Sequence, residues 1–229
     1  MGMEDVWVVV PVFNEATIIA QVVSDLRNSF PNVLCVDDGS SDDSAKIATL
    51  SGATVVRHGI NLGQGAALQT GFDFVLDKAG AKWAVTFDAD GQHLATDAVR
   101  MVDAARDARV DVVLASRFRG STQDMPRMRR AVLKAAVAFT RWTAHLDVTD
   151  THNGLRVLSV GALGAFRLQQ PRMAYASELL SAIGAHGLSY VEVPVSVIYS
   201  DYSRAKGQRN INAVNILFDL TLARLRPAP

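Results

Sequence analysis

The chain has 229 residues, 49% of them hydrophobic, which suits one large α/β domain or two small ones. Its 23 basic and 23 acidic residues cancel, and this zero formal net charge argues against a general nucleic-acid-binding protein. Cys35 is the one cysteine, no secretory signal is recognisable, and no stretch approaches the ~18 uninterrupted apolar residues of a membrane span. These features predict a protein of the cytoplasm without a transmembrane segment.

Strand-like and helix-like segments alternate along the first half of the chain. Short apolar runs predict strands at Val6–Val10, Val33–Val36, Ala53–Val56, Trp83–Phe87 and Val110–Ala115. Apolar residues at helical spacing predict helices that begin at Asn14 and near Ser44, and helices at Gly63–Asp77 and Leu94–Ala105. This alternation predicts βαβ units, and therefore a mostly parallel, Rossmann-like sheet flanked by helices.

The pattern changes after Arg119. Met125–Leu146 is predicted to form one long basic amphipathic helix, and Ile211–Leu225 a final amphipathic helix. Gly154–Leu158 and Ser189–Ile198 are predicted strands that extend the sheet. We therefore expect a single domain over 1–229, with one half at 1–120 and a second half at 121–229.

Two aspartates follow the fourth predicted strand, where open α/β sheets bind ligands. Asp88 and Asp90 are two residues apart, so their side chains converge if the extended geometry persists. Carboxylates held that close repel each other unless a cation joins them. Mg²⁺ or Mn²⁺ fits best, with Gln92 as a neutral third oxygen ligand and Gly91 allowing a tight turn. The alternative is a polar turn in which the aspartates cap local amides.

Polar residues follow the first three predicted strands as well, at 11–15, 37–40 and 61–65. Their acidic and amide groups can accept hydrogen bonds from ribose hydroxyls and from base N–H groups. Gly63 and Gly65 precede a helix, where backbone amides can lie near phosphate. The third glycine of a dinucleotide fingerprint and the Gly-Lys-Ser/Thr of a P-loop are missing. The joint pattern favours a nucleotide held by acidic loops and a metal ion.

These four segments, in this order and spacing, resemble family 2 glycosyltransferases of the GT-A fold. They read Pro-Val-Phe-Asn-Glu, Val-Asp-Asp-Gly-Ser, Asn-Leu-Gly-Gln-Gly and Asp-Ala-Asp-Gly-Gln-His. The likeness is strongest to the dolichyl- or polyprenyl-phosphate mannose/glucose synthases and runs from about Val6 to Gln208. It implies inverting transfer of a sugar from a nucleotide sugar, aided by Mg²⁺ or Mn²⁺. The 1–120 half would bind the nucleotide sugar and the 121–229 half the acceptor.

The resemblance also implies site residues on the donor side. The nucleotide-sugar-binding positions are Pro11, Phe13, Glu15, Asp38, Gly63, Gln64, Asp88 and Ala89. Asp88, Asp90 and Gln92 would hold the metal ion on the diphosphate, and Asp90 would count as catalytic. Many relatives carry Lys where this chain has the neutral Gln64.

Basic residues mark the acceptor side in the same way. Arg117, in Ser-Arg-Phe, would lie near the transferred or acceptor phosphate and act in catalysis. Arg129 aligns with an arginine that contacts lipid phosphate, although Leu133 stands where relatives often have Ser. Arg204 and Lys206 lie in a segment that closes on the phosphates in the family. The alternatives are a solvated strand-end arginine and an exposed basic loop.

Two acidic residues remain candidates for a role near the acceptor. Asp150, within Val148–Arg156, matches the family's acceptor loop and is predicted to be catalytic. A hydroxyl acceptor would need it as a base, whereas an ionised phosphate acceptor needs positioning more than deprotonation. Glu178 matches an acidic helical position of the family, and a structural partner for a nearby arginine is an equal alternative.

The predicted partners follow from the basic helix and the resemblance. Three arginines at one end of Met125–Leu146 fit a helix lying on an anionic membrane, and ordinary packing on the sheet is an even alternative. The protein is predicted to bind peripherally to the cytoplasmic face of the membrane. A small membrane protein is one predicted partner there. A homo-oligomer is compatible with this prediction, and a nucleic-acid partner is not expected.

The predicted function is transfer of a hexose from a GDP- or UDP-sugar to a polyprenyl or dolichyl phosphate. The nearest rival is a family 2 enzyme that glycosylates a saccharide hydroxyl in cell-surface polysaccharide synthesis. A nucleotidyltransferase would release pyrophosphate, and it usually has an early glycine-rich loop with a basic residue, which is absent here. A non-enzymatic nucleotide-sugar binder would not need both the acidic pair and the acceptor-side charges.

Overall fold

The computed structural model describes residues 2–118, 146–151, 153–170 and 174–198. Within these ranges the strands are β1 Val6–Val12, β2 Asn32–Asp37, β3 Thr54–Arg57, β4 Trp83–Thr86, β5 Val112–Ser116, β6 Arg156–Ser159 and β7 Tyr190–Pro194. The helices are α1 Ile19–Arg27, α2 Ser44–Leu50, α3 Gln64–Leu76, α4 Ala95–Ala108, α5 Val160–Ala165 and α6 Tyr175–Ala185. The predicted final helix, and the long basic helix apart from Leu146, lie outside the described residues.

The strands of the described residues form one seven-stranded sheet in the order β3-β2-β1-β4-β6-β5-β7. All neighbours are parallel except β6, which is antiparallel to both β4 and β5. The predicted mostly parallel α/β sheet is therefore confirmed. The prediction that both late strands extend the sheet is wrong for β6, which is inserted within it, because Val157 and Leu158 are fully buried on opposite faces and need cover on both.

Helices cover both faces of the sheet and enclose two apolar clusters. Val8 and Val10 of β1 face the cluster made with α1 and α4, whereas Val9 faces the cluster made with α3 and α6. Cys35 belongs to the first cluster, as expected for a small core residue. Its burial, and then the charge of Asp37, raises the pKa of the Cys35 thiol to about 12, so it is an inert thiol at neutral pH.

Helix α1 begins at Ile19, later than the start predicted at Asn14. The amides of residues 14–16 are already bound to the loop after β2 and to the first residue of α2, because they donate to side chains of Ser40, Asp42 and Ser44. Asn14 also adopts the left-handed conformation, with φ of 53°. The segment 13–16 is therefore a loop fixed to its neighbour, and it cannot supply the first helical turn.

The carboxyl ends of β1, β2, β4 and β5 lie at the same edge of the sheet because these strands are parallel. Strand β6 runs in the opposite direction, so its first residue, Arg156, reaches the same edge between β4 and β5. Of the residues singled out in the sequence, Asp38, Asp88, Asp90 and Arg117 follow these ends. The topology thus gathers segments far apart in the chain along one edge.

Candidate active site

The loops after β1 and β2 are joined by side-chain hydrogen bonds. Ser41 N donates to Asn14 Oδ1 over 2.9 Å, and Glu15 N donates to Ser44 Oγ over 2.7 Å. Glu15 is buried, whereas Phe13 is 43% exposed and Pro11 is half-buried at the end of β1. The three predicted nucleotide-binding residues of this segment therefore lie on a backbone whose shape is fixed before any ligand binds.

Asp38 is the anchor of the loop that precedes α3. Its Oδ1 accepts from Leu62 N at 2.8 Å and its Oδ2 accepts from Gly63 N at 2.7 Å. His58 Nδ1 lies 2.8 Å from Oδ1, and the ring's Nε2 lies 2.9 Å from Thr70 Oγ1. The amide of Gly63, expected near phosphate, is thus bound to Asp38, and nucleotide binding by either residue stays a prediction.

Asp88 is held on several sides by residues of other elements. Gln64, at the start of α3, donates through Nε2 to Asp88 Oδ1 over 3.0 Å, and His93 Nε2 lies 3.4 Å from Oδ2. Burial opposes ionisation of Asp88, but the hydrogen bond and charge of His93, with Arg156 and Gln64, lower the pKa of that carboxyl below its usual range. Asp88 is therefore an ionised carboxylate with a fixed orientation.

Asp90 lies close to Asp88 and differs from it electrostatically. Burial, and then the negative charge of Asp88, raises the pKa of Asp90 to about 6. Gln92 N donates to Asp90 Oδ1 over 3.1 Å, and Gly91 makes the intervening turn with φ of 71°. The two carboxylates are therefore close enough to repel each other, and their joint binding of a cation stays a prediction.

A divalent cation fits this pair, because it would relieve the repulsion that raises the pKa of Asp90. Across the described ranges no group of three or more His, Cys, Asp or Glu is placed to hold a metal ion. A pair of carboxylates suits Mg²⁺ or Mn²⁺, which proteins commonly bind through one or two carboxylates while substrate phosphates supply further oxygens. Ala89 between them is buried, and the carbonyl of Gln92 accepts from Ile198 N at 2.9 Å.

Arg117 and Asp150 form a buried ion pair at the end of β5. Arg117 Nε lies 2.6 Å from Asp150 Oδ2, and the same oxygen accepts from Arg117 N at 3.1 Å. Both residues are at least 94% buried, which makes an uncompensated charge at either position costly. The structure therefore brings together the two residues that the resemblance assigned separately to the acceptor side.

Glu178 does not pair with an arginine within the described residues. Its two carboxylate oxygens accept from the amides of Gln169 and Gln170, each at 2.9 Å. A Cβ on Gly65 would strike the carbonyl oxygen of Gln170, so this segment lies against the first turn of α3. The contacts of Glu178 among the described residues are thus with backbone amides and not with the arginine that the alternative expected, and its role near the acceptor stays a prediction.

Sequence reasoning assigned no role to Arg156 or Glu192. Arg156 is 97% buried on β6, donates to Thr151 O over 3.4 Å, and lies 5.7 Å from the centre of the Tyr175 ring. An arginine inside an apolar strand was the available signal. Glu192 lies between Val191 and Val193 on β7, and that charged residue in an apolar strand was a similar signal. Arg129, Arg204 and Lys206 lie outside the described residues.

In the ranges that the structure describes, no helix is both long enough and apolar enough to cross a membrane. The described site consists of the Asp88–Asp90 pair after β4, the hydrogen-bonded loops after β1 and β2, and the buried Arg117–Asp150 ion pair after β5.

Comparisons with known proteins identify the family and the fold. A family model described as "Glycosyl transferase family 2" matches residues 7–163. An uncharacterized protein of Methanocaldococcus jannaschii is 34% identical, over 98% of this chain and 94% of that protein. A UDP-N-acetylglucosamine–dolichyl-phosphate N-acetylglucosaminyltransferase of Methanococcus voltae is 28% identical, over 96% of each chain.

Among solved structures, a glucosyl-3-phosphoglycerate synthase from Mycobacterium tuberculosis, in complex with Mn²⁺ and UDP-glucose, superposes with a TM-score of 0.73. The match covers 97% of this chain and 80% of that one at 18% identity. This likeness confirms the predicted GT-A fold, and at such identity it carries the fold alone.

Proposed function

Since the chain belongs to glycosyl transferase family 2, we propose that it moves a hexose from a nucleoside diphosphate sugar to a polyprenyl or dolichyl phosphate, with inversion at the anomeric carbon. The observation that carries the proposal is the placement of the Asp88–Asp90 pair and the Arg117–Asp150 pair at one edge of the sheet. The aspartate pair suits a diphosphate with its cation, and the Arg117–Asp150 pair would bring an arginine to the acceptor side. The relative from Methanococcus voltae, whose name specifies a dolichyl phosphate acceptor, supports the same assignment.

The donor would lie along the loops after β1, β2 and β4. The exposed ring of Phe13 offers a face for the base, and Pro11, Glu15 and Asp38 would line the nucleoside pocket. UDP is the nucleotide favoured by the names of the Methanococcus voltae relative and the structural neighbour, although GDP stays an alternative. Gly63, Gln64 and Ala89 would contact the diphosphate or sugar from the sides.

Asp88, Asp90 and Gln92 would hold Mg²⁺ or Mn²⁺ against the diphosphate. When bound, that ion supplies positive charge that stabilises the leaving nucleoside diphosphate. Gln64 and His93 keep Asp88 ionised and oriented, so the carboxylate need not reorganise during the reaction. Asp90 must lose its proton for this role, which happens as the pH rises through about 6.

The acceptor phosphate would approach from the side of Arg117. One of its oxygens forms a bond to C1 of the sugar while the bond from C1 to the diphosphate oxygen breaks, and the electron pair leaves on the nucleoside diphosphate. A phosphate is already ionised near neutral pH, so positioning matters more than deprotonation. Asp150 orients Arg117 through Nε and the backbone, and Arg129, Arg204 and Lys206 would add positive charge near the phosphate.

The proposal extends to the organisation and location of the protein. Residues 1–229 would form a single domain with a donor half at 1–120 and an acceptor half at 121–229. Because the acceptor is a lipid, the protein would work at the cytoplasmic surface of a membrane, with the basic segment 125–146 in contact with anionic lipid. A small membrane protein or a second copy of the chain would be compatible with that arrangement.

The first experiment mixes purified protein with Mn²⁺ or Mg²⁺, a panel of UDP- and GDP-sugars, and a short polyprenyl phosphate in detergent. Nucleoside diphosphate release that requires the lipid phosphate is expected, and Asp90→Asn should lose it. Release driven by a saccharide instead would favour the hydroxyl-acceptor enzyme. Pyrophosphate release would overturn the glycosyl-transfer proposal in favour of nucleotidyl transfer.

A further inference from the structure

Glu192 binds the loop that carries Asp150. Glu192 Oε1 accepts from Thr149 N at 2.7 Å and from Asp150 N at 3.3 Å, while Oε2 accepts from Thr149 Oγ1 at 2.9 Å. Strand β7 is paired in parallel with β5, and Glu192 stands in register with Leu114. One half-buried carboxylate therefore fixes two consecutive amides and a hydroxyl, so this loop is held from the strand next to Arg117.

The hydroxyl protons in this network have only one consistent arrangement. A carboxylate accepts but does not donate, so the Thr149 hydroxyl donates to Glu192. Ser116 Oγ lies 2.6 Å from Thr149 Oγ1, and with that proton committed to Glu192, Ser116 must donate to Thr149. This series of hydrogen bonds runs from Ser116 at the end of β5 through Thr149 to Glu192 on β7. It therefore joins the residue before Arg117 to the residue before Asp150.

These contacts end at the buried ion pair. Ser116 and Arg117 are consecutive, as are Thr149 and Asp150, and Arg117 donates through both N and Nε to Asp150 Oδ2. A shift of the loop would move the Asp150 carboxylate and, with it, the guanidinium of Arg117. Misplacement by about 1 Å can cost on the order of 100-fold in rate even when the altered residue is far from the chemistry.

We propose that Glu192, acting through the hydroxyl of Thr149, is a positioning residue that aims the Arg117–Asp150 pair at the acceptor. The inference rests on the proposed function, because it assigns the pair to the acceptor side. Neither residue would touch substrate. Their loss should therefore reduce turnover with the acceptor while leaving affinity for the nucleotide sugar unchanged.

The test compares Thr149→Val, which removes the hydroxyl at nearly constant volume, with Thr149→Ser, which keeps it. Thr149→Val should lower kcat/KM for the lipid phosphate by about 10- to 100-fold, with an unchanged Kd for the nucleotide sugar with Mn²⁺. Thr149→Ser should restore activity close to that of the wild type. Glu192→Gln should fall between them, because its amide keeps one accepting oxygen but reverses the hydroxyl chain.

Asp111→Asn is the matched control on the same strand pair. Asp111 Oδ2 accepts from Ser189 N at 3.0 Å and Ser189 Oγ at 2.6 Å, just before β5 and β7 at their opposite ends. This variant should leave acceptor kinetics unchanged. Equal acceptor kinetics in Thr149→Val and Thr149→Ser, or an equal loss in Asp111→Asn, would overturn the inference.

Amide hydrogen exchange tests the inference without any acceptor. The Arg117 and Asp150 amides should exchange faster by about tenfold or more in Thr149→Val and by less in Glu192→Gln, but not in Asp111→Asn. Unchanged exchange at both amides would overturn the positioning role whatever the acceptor is. Absence of transfer by the wild-type protein, with altered exchange in the variants, would instead count against the proposed function alone.

Discussion

Gly154 lies directly against the carboxylate of Asp88, where no side chain fits. A Cβ atom on Gly154 would fall 2.5 Å from Asp88 Cγ and 2.6 Å from Oδ1. The carbonyl of Gly154 also accepts from Thr86 Oγ1 at 2.6 Å, so the backbone cannot retreat without losing that bond to β4. The segment after Asp150 and the aspartate after β4 are therefore in contact, which joins the acceptor and donor sides of the site.

Gly154→Ala should displace Asp88. We expect a loss of about 1–3 kcal/mol in the free energy of unfolding from overpacking, and Mn²⁺ affinity lower by about tenfold or more. Titration with Mn²⁺ and urea unfolding would measure both. Gly164→Ala is the control, because it lies in α5 with no atom within 4 Å of its Cβ position and should keep full metal affinity. Equal metal affinity in the two variants would contradict the contact.

The raised pKa of Asp90 predicts a pH dependence of stability in metal-free protein. Its pKa rises from 3.8 to about 6 on folding, so the folded protein binds that proton more tightly than the unfolded chain. The resulting stabilisation is fully present below 3.8 and is lost as the pH rises through about 6. In EDTA, the wild type should therefore lose stability relative to Asp90→Asn between pH 4.5 and 7.

Metal binding should show the opposite trend, because the cation competes with the proton. Mn²⁺ affinity of the wild type should fall as the pH drops through about 6, the pKa of Asp90. Calorimetric titrations from pH 5 to 8 would measure it. A stability difference between wild type and Asp90→Asn that is flat with pH would contradict the electrostatic account of the pair.

Asp38→Asn should destabilise the protein even without nucleotide. An asparagine has one accepting oxygen, so it cannot satisfy Leu62 N, Gly63 N and His58 together, and we expect a loss of about 1–3 kcal/mol. Thermal unfolding of the ligand-free protein measures this. Asp43→Asn is the control, since Asp43 is exposed and makes no capping hydrogen bond at α2. If Asp38→Asn only weakened nucleotide binding, the anchoring role would be wrong.

Glu178→Gln should lower stability without altering the chemistry. Its carboxylate accepts from two backbone amides, and a glutamine can keep only one, which costs about 1–2 kcal/mol. The pH profile of kcat should keep the wild-type shape, and Glu4→Gln, at an exposed position, provides the unperturbed reference. Loss of an ionisation from the profile of Glu178→Gln would make Glu178 a base and favour a hydroxyl acceptor.

The alternation of strands and helices along residues 6–115 was predictable, because apolar runs and turn residues indicate local structure. The insertion of β6 was not, since the apolar pair Val157 and Leu158 indicates a strand covered on both faces but not which neighbours it pairs with. The start of α1 was misplaced for a similar reason. Asn14 would suit a helix cap, but its segment is bound to Ser40 and Ser44, a contact that local sequence does not encode.

In the site, too, local features were predictable from the sequence and long-range contacts were not. The sequence predicted that Asp88 and Asp90 lie together at the end of β4, but the strand ends at Thr86 and the chain turns at residues 89–90, so the extended geometry assumed for the pair does not persist. Two further contacts depend on long-range packing between β4, β6 and β7, so spacing within one motif could not show them. They are the contact of Gly154 with the Asp88 carboxylate and the hydrogen bond from Asp150 N to Glu192. Arg117 and Asp150 were both singled out, yet their pairing became visible only in the structure.

Transfer of a labelled hexose from a UDP-sugar into an organic-extractable product tests the central claim most directly. The acceptors would be a polyprenyl phosphate and the polyprenol of the same chain length, each with Mn²⁺ or Mg²⁺. We predict label in the organic phase with the phosphate only, abolished by EDTA and by Asp90→Asn. Label carried by the polyprenol, or by a saccharide while the lipid phosphate stays unlabelled, would contradict the account.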